Sequence, residues 1–180
     1  MHLAVKTGDD FIIRNLTLAG AVINAVDKMN QTALHYAAER DLSEIARILL
    51  QNGADPSAVD QDGNNVLHLA GKNDFPGVTR VLLSESQIDA TAKNAKGKPF
   101  LHLVAFFGGE NAIEQFNTLI EFVPDYPINE TDMDGNTPLF IAYQQGEANL
   151  CVGLAKAGSI LAKSNNEGLN IFNLEVATQR

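Results

Sequence analysis

The chain has 180 residues, a formal charge of −9 and one cysteine, Cys151. An excess of 22 acidic over 13 basic residues argues against nucleic acid and against unaided docking on an anionic membrane, both of which are bound largely through Lys and Arg. A neutral or basic protein partner stays compatible. The lone cysteine excludes an internal disulfide and suits a reducing, intracellular compartment, and neither a secretory leader nor a membrane-spanning run is visible.

Along the chain, one phrase recurs. Met1-His2-Leu3-Ala4, Leu34-His35-Tyr36-Ala37, Leu67-His68-Leu69-Ala70 and Leu101-His102-Leu103-Val104 carry all four histidines, at spacings of 33, 33 and 34 residues. Leu139-Phe140-Ile141-Ala142 follows after 38 residues with Phe in the histidine slot, and Phe172-Asn173 starts a sixth copy. A fixed period near 33 residues predicts a stacked array.

The second unit shows the parts. Asp27-Lys28-Met29-Asn30-Gln31 predicts a turn, and Thr32 N-caps a short helix that runs through Ala38. Asp41-Leu42-Ser43 predicts a break, Glu44–Leu50 a second helix, and Gly53 its left-handed stop. Gly20 and Gly158 repeat that stop. Gly63, Gly97, Gly135 and Gly168 mark the turn before each first helix, with Asn30, the next-best residue for positive φ, in the same slot. Thr137-Pro138 starts the fifth unit's helix with proline where a missing N–H is harmless. The units predicted are 1–26 (partial), 27–59, 60–92, 93–131 (long, with an insertion), 132–163 and 164–180 (partial). The extra length of the fourth unit is expected in 121–127, where two prolines stop a helix. Ile171, Phe172 and Leu174 lack the polar face of a terminal cap, which suggests a segment of a longer array.

The run Asp132-Met133-Asp134-Gly135-Asn136-Thr137-Pro138-Leu139-Phe140-Ile141-Ala142 resembles the repeating frame of the ankyrin-repeat family, and the likeness recurs in phase along the whole chain. The resemblance implies an all-α solenoid of stacked antiparallel helix pairs with β-hairpin fingers. Gln31–Leu42, Asn52–Pro56, Ala148–Cys151, Gly168–Asn173 and Val176-Ala177-Thr178 are further similar to the last repeats of the rabankyrin family of endosomal proteins. That family joins a BTB domain, an ankyrin array and a FYVE zinc domain. It implies partners among trafficking proteins, an early-endosome Rab GTPase included, and an endosome-associated cytoplasmic location. The lipid-binding activity of a FYVE domain cannot be carried to these residues.

Nothing in the chain predicts catalysis. Histidines at equivalent positions of successive repeats sit ~8–10 Å apart, too far to share a zinc ion with bonds of about 2 Å, so each ring is expected to tie a turn to its helix. Cys151 aligns with Ala46 and Thr79 as a small packed residue. Asp27, Asp60 and Asp132 are spread along the array as turn caps, and no phosphate loop or Ser-His-Asp set appears. No cofactor and no metal are implied.

The binding surface is expected where finger tips and first helices meet a concave groove. Most positions there are polar, among them Lys72, Asn73 and Gln144, whereas Phe106 and Phe107 fill two slots that ordinarily face the groove. An exposed aromatic pair is typical of a binding hot spot; the alternative is a ring turned inward or covered by 123–127. Lys93, Lys96 and Lys98 form a basic cluster beside the pair. Phe106, Phe107, Met133 and Lys98 are the expected centre of contact, with Lys96, Lys72, Asn73 and Gln144 around it. The expected function is a protein-interaction module of an endosomal adaptor. A structural spacer, or a regulatory ankyrin segment of a larger enzyme, stands as the alternative.

Overall fold

A computed structural model describes residues 1–174. Val176, Ala177 and Thr178, and with them the end of the predicted sixth unit, lie outside the described residues. Ten helices in five pairs are described: α1 His2–Thr7 and α2 Asp10–Leu18, α3 Ala33–Ala38 and α4 Ser43–Gln51, α5 Val66–Lys72 and α6 Pro76–Glu85, α7 Phe100–Phe107 and α8 Ala112–Phe122, α9 Pro138–Gln145 and α10 Ala148–Lys156. The first helices α1, α3, α5, α7 and α9 stack on one another in chain order, and the second helices α2 to α10 form a parallel layer behind them.

No helix of six to eleven residues is stable alone in water. Stacking supplies what is missing. The leucines of the repeated phrase, Leu34, Leu67, Leu101 and Leu139, are buried, as are Leu49, Leu82, Leu119 and Leu154 from the second helices, and they belong to one core that runs from Ala4 to Leu154. The Thr32 hydroxyl accepts from the His35 N–H, and Thr137 caps α9 in the same way. Gly20, Gly53 and Gly158 take positive φ after α2, α4 and α10. After α6 the chain has no such glycine, and Ser86 is extended instead.

The fingers are five-residue turns, and among the described residues none is in a strand. In each, one Asp or Asn side chain organises the backbone: Asp60 Oδ1, for example, accepts from the N–H groups of Asp62 and Asn64. Asn30, at φ 59°, fills the slot of Gly63, Gly97, Gly135 and Gly168. Successive fingers are joined by Gln61 N–H donating to Met29 O, Ala95 N–H to Asp62 O and Asn166 N–H to Asp134 O. Among the described residues no counterpart runs from Met133 to Lys96.

The histidines do more than the sequence predicts. His35 Nδ1 accepts from Thr32 N–H at 3.1 Å, and Nε2 donates to Asn64 O of the next finger at 3.3 Å. His2, His68 and His102 reach Gln31 O, Lys98 O and Asn136 O in the same way. Each ring therefore ties its own helix to the following repeat. Pro99 replaces the N-cap residue of α7, and His102 Nδ1 is left buried without a partner. Burial pushes the pKa values of His35, His68 and His102 down, which keeps the rings neutral.

A second set of ties crosses between repeats at the turn inside each pair. Asp41 accepts from Val78 N–H at the start of α6 (2.8 Å), and Asp74 from Asn111 N–H at the start of α8 (3.0 Å). Asp74 also accepts from Gln115 Nε2, and Gln115 Oε1 in turn accepts from the Thr79 hydroxyl. The fourth unit's extra residues are more widely distributed than 121–127. Its helices have 8 and 11 residues, against 6 and 9 in α3 and α4, 7 and 10 in α5 and α6, and 8 and 9 in α9 and α10, so the helices take up part of the insertion.

Candidate functional site

Helix α7 ends on Phe106 and Phe107, and the turn that follows, at Gly108 and Gly109, has positive φ. An aromatic pair at this place has no core to enter, because the face of α7 that points into the stack is already filled by Phe100, Leu101 and Val104. The two rings instead pack edge to face, with centroids 5.1 Å apart. Phe106 stays 42% exposed and Phe107 48% exposed. Residues 123–127 do not cover them: Tyr126 is buried, its hydroxyl pKa pushed up by that burial, and the segment does not line the cleft at the rings.

That cleft has a volume of about 180 Å³ and runs between the fourth finger and the ends of α5 and α7. Leu103 forms its floor and the two phenylalanines one wall; Lys72, Lys96 and Lys98 stand around it. Lys98 Nζ lies 4.6 Å from the Phe106 ring centre, and Lys72 Nζ 5.9 Å from that of Phe107, the geometry in which an ammonium is drawn to a π face. The Lys98 backbone is fixed twice, its carbonyl by His68 and its N–H by Asn94. Lys72 also sits in the last turn of α5, where a cation is favoured by the helix dipole.

The cleft thus brings together five of the eight residues expected at the contact surface. The other three are placed elsewhere. Met133 is exposed on the next finger, its side chain lying against Gly97, where any Cβ would collide with it. Gln144 lines a second, more polar cleft of about 310 Å³ with Asp134, Asn136 and Glu167. Asn73 caps the end of α5 by donating to Leu69 O. Lys93, counted with the basic cluster, is engaged by Glu130 at 2.8 Å. Leu103 also lines the cleft, although an apolar residue in the repeated phrase reads as core in the sequence.

A family model described as ankyrin repeats in three copies matches residues 1–94, just over half of the chain. The chain belongs to the ankyrin-repeat family. It is 47% identical over all 180 residues to Rabankyrin-5 of Mus musculus and of Homo sapiens, and spans 15% of the length of each. It is also 30% identical, over 97% of its length, to 18% of the p105 subunit of nuclear factor NF-kappa-B from Gallus gallus. Among solved structures, an ankyrin repeat protein, EF0377, superposes with a TM-score of 0.86 at 20% identity, over 98% of this chain and 89% of the other. The ankyrin repeat domain of Bcl-3 superposes with a TM-score of 0.82 at 24% identity, over 96% and 77%.

Ankyrin repeats are a protein-interaction module, and the arrangement of this array suits that use. Its cleft offers apolar surface, cations and a floor preformed by stacking, so a partner meets little ordering cost. Cys151 packs partly buried against the core, and burial raises its thiol pKa, the opposite of what a nucleophile needs. Among the described residues no helix is long and apolar enough to cross a membrane.

Proposed function

We propose that this ankyrin array is the protein-binding segment of an endosomal trafficking adaptor, and that a protein or extended peptide docks on its concave side at Phe106 and Phe107. The observation that carries this reading is the exposed, mutually packed ring pair beside three lysines. The 47% identity over all 180 residues to a stretch of Rabankyrin-5 supports an endosome-associated, cytoplasmic setting and partners among trafficking proteins such as a Rab GTPase. The module works by presenting a rigid surface, without catalysis, cofactor, nucleic acid or direct membrane contact of its own.

Quantitative capture from cell lysate tests this, using the chain and its Phe106→Ala/Phe107→Ala variant, both shown to be folded. The reading expects a defined set of trafficking proteins held by the original and lost by the variant. Equal capture by both would remove the ring pair from the site. A second reading, a rigid spacer between other domains, is favoured by the unbroken core and by the ion pairs that link successive second helices; absence of specific capture by either protein would move it ahead.

A further inference from the structure

The cleft's charge runs against that of the whole chain. At a formal −9, the protein as a whole favours neutral or basic partners, yet Lys72, Lys96 and Lys98 gather at one apolar cleft. Among the described residues none of the three has a carboxylate within 4.0 Å. Arg14, Arg47, Arg80 and Lys93 do, whereas Lys6, Lys28, Arg40, Lys156 and Lys163 do not, so what sets these three lysines apart is their gathering at one apolar cleft. Asp62, on the third finger, is the acidic residue at the cleft's edge.

We infer that the occupant of this cleft is an acidic peptide segment, an apolar side chain seated on Leu103, Phe106 and Phe107 with carboxylates on both flanks reaching the lysines. This rests on the reading of the ring pair as a docking site and names its partner's chemistry. The apolar wall accounts for the anchor, and unpaired cations on both sides account for the flanking charge. Lys98 is held in place by its stacking on Phe106 and by its fixed backbone, so its ammonium needs little ordering to meet an anion. Asp62 directs the carboxylates toward the fourth finger and the end of α5.

The chemistry favours carboxylate over phosphate. Phosphate is held with most geometric specificity by the forked donors of arginine or by a helix N-terminus, and by lysine only as a point charge. Among the described residues no arginine lines the cleft, and α5 and α7 present their C-terminal ends to it, whose partial negative charge opposes any anion, and a phosphate dianion about twice as strongly as a singly charged carboxylate. The chain's overall negative charge is no barrier to a short segment, since exposed charges farther than about 8 Å are largely screened at physiological salt.

A display library of random peptides, selected on the full chain and counter-selected on Phe106→Ala/Phe107→Ala, tests the inference. The expected result is enrichment of sequences with an apolar residue between Asp or Glu. Fluorescence anisotropy with the most enriched peptide should then show about tenfold weaker binding to Lys72→Gln/Lys96→Gln/Lys98→Gln, from three exposed charge pairs of modest worth each. Binding should also weaken as salt rises. Peptides that depend on the ring pair but carry no acidic residues, or that bind the lysine variant equally, overturn the acidic partner while leaving the docking site standing. Selection of no peptide that depends on the ring pair overturns the docking site itself. Lysine-dependent sedimentation with phosphatidylserine vesicles, in the absence of such peptides, would assign the cleft to a lipid surface instead.

Discussion

On the layer of second helices, Arg14, Arg47 and Arg80 each meet a carboxylate of the next repeat, Glu44, Glu85 and Glu121; on the side of the first helices, Lys72, Lys96 and Lys98 meet none among the described residues. The two faces are built from the same repeated unit and differ in what their charges face. The arginines lie on helices that run side by side, so a carboxylate one period later falls within reach of each. The lysines lie on a finger and a helix end that border an open cleft, and the neighbours there are aromatic. Charge on one face links repeats, and on the other it stays available to a partner.

The largest change should come from the core that both faces share. Leu101→Ala, beneath the cleft, should cost ~2–5 kcal/mol and lower the melting temperature by several degrees, read by circular dichroism. A loss under ~1 kcal/mol would mean that the fourth unit does not couple the faces. Asp74→Ala strikes the layer of second helices alone. It strips acceptors from Asn111 and from the buried Gln115 and leaves alanine at φ 59°, so it should cost ~2–4 kcal/mol; Asp74→Asn, which keeps one acceptor and tolerates that backbone, should cost less.

The first helices should be the acid-sensitive layer. Buried His35 and His68 accept an N–H at Nδ1, so a proton there would set donor against donor. Their pKa values, and that of His102, are lowered in the fold. Below about pH 6.5 the unfolded chain therefore binds more protons than the native one, and stability falls as pH falls, by at most ~1.4 kcal/mol per pH unit for each histidine. Above neutral pH this contribution is fully present and constant. Chemical denaturation at about pH 7.5 and about pH 5.5 measures the difference; equal stability would sink the assignment.

Surface changes separate the faces most cleanly. Phe106→Ala/Phe107→Ala, at rings about half exposed, should leave the chain folded at a cost of ~1–3 kcal/mol while abolishing peptide binding. A larger loss of stability in that variant would show the rings to be packing residues. Arg80→Ala removes an exposed pair and should cost under ~1 kcal/mol, less again at high salt.

The sequence already carried much of this layout where a residue's role is local. The finger glycines with Asn30, the caps Thr32 and Thr137, and the leucine of each repeated phrase act within a few residues of themselves, and their period exposes them. Phe106 and Phe107 were visible for a related reason: two aromatics stood where polar residues are usual. Roles that span a repeat were hidden. Asp41 reads as a turn residue, and only the stack brings Val78 N–H to it. Lys93 and Lys98 look alike in sequence, yet Glu130 takes one and Phe106 the other. Sharing of the fourth unit's extra residues among α7, α8 and the turn could not be read from two prolines.

The junction between the fourth and fifth fingers lacks the backbone bond that joins the other described neighbours, and the His102 ring beneath it makes one tie where His35 makes two. Mechanically, a row of repeats is a coil spring whose stiffness comes from the bonds between its turns. In this spring the turn next to the cleft has fewer bonds at its finger edge and is held mainly by helix packing beneath, with His102 to Asn136 O and Lys93 to Glu130 across it. Tension applied along the array would therefore part the finger tips, between Lys98 and Met133, before it parted the helices.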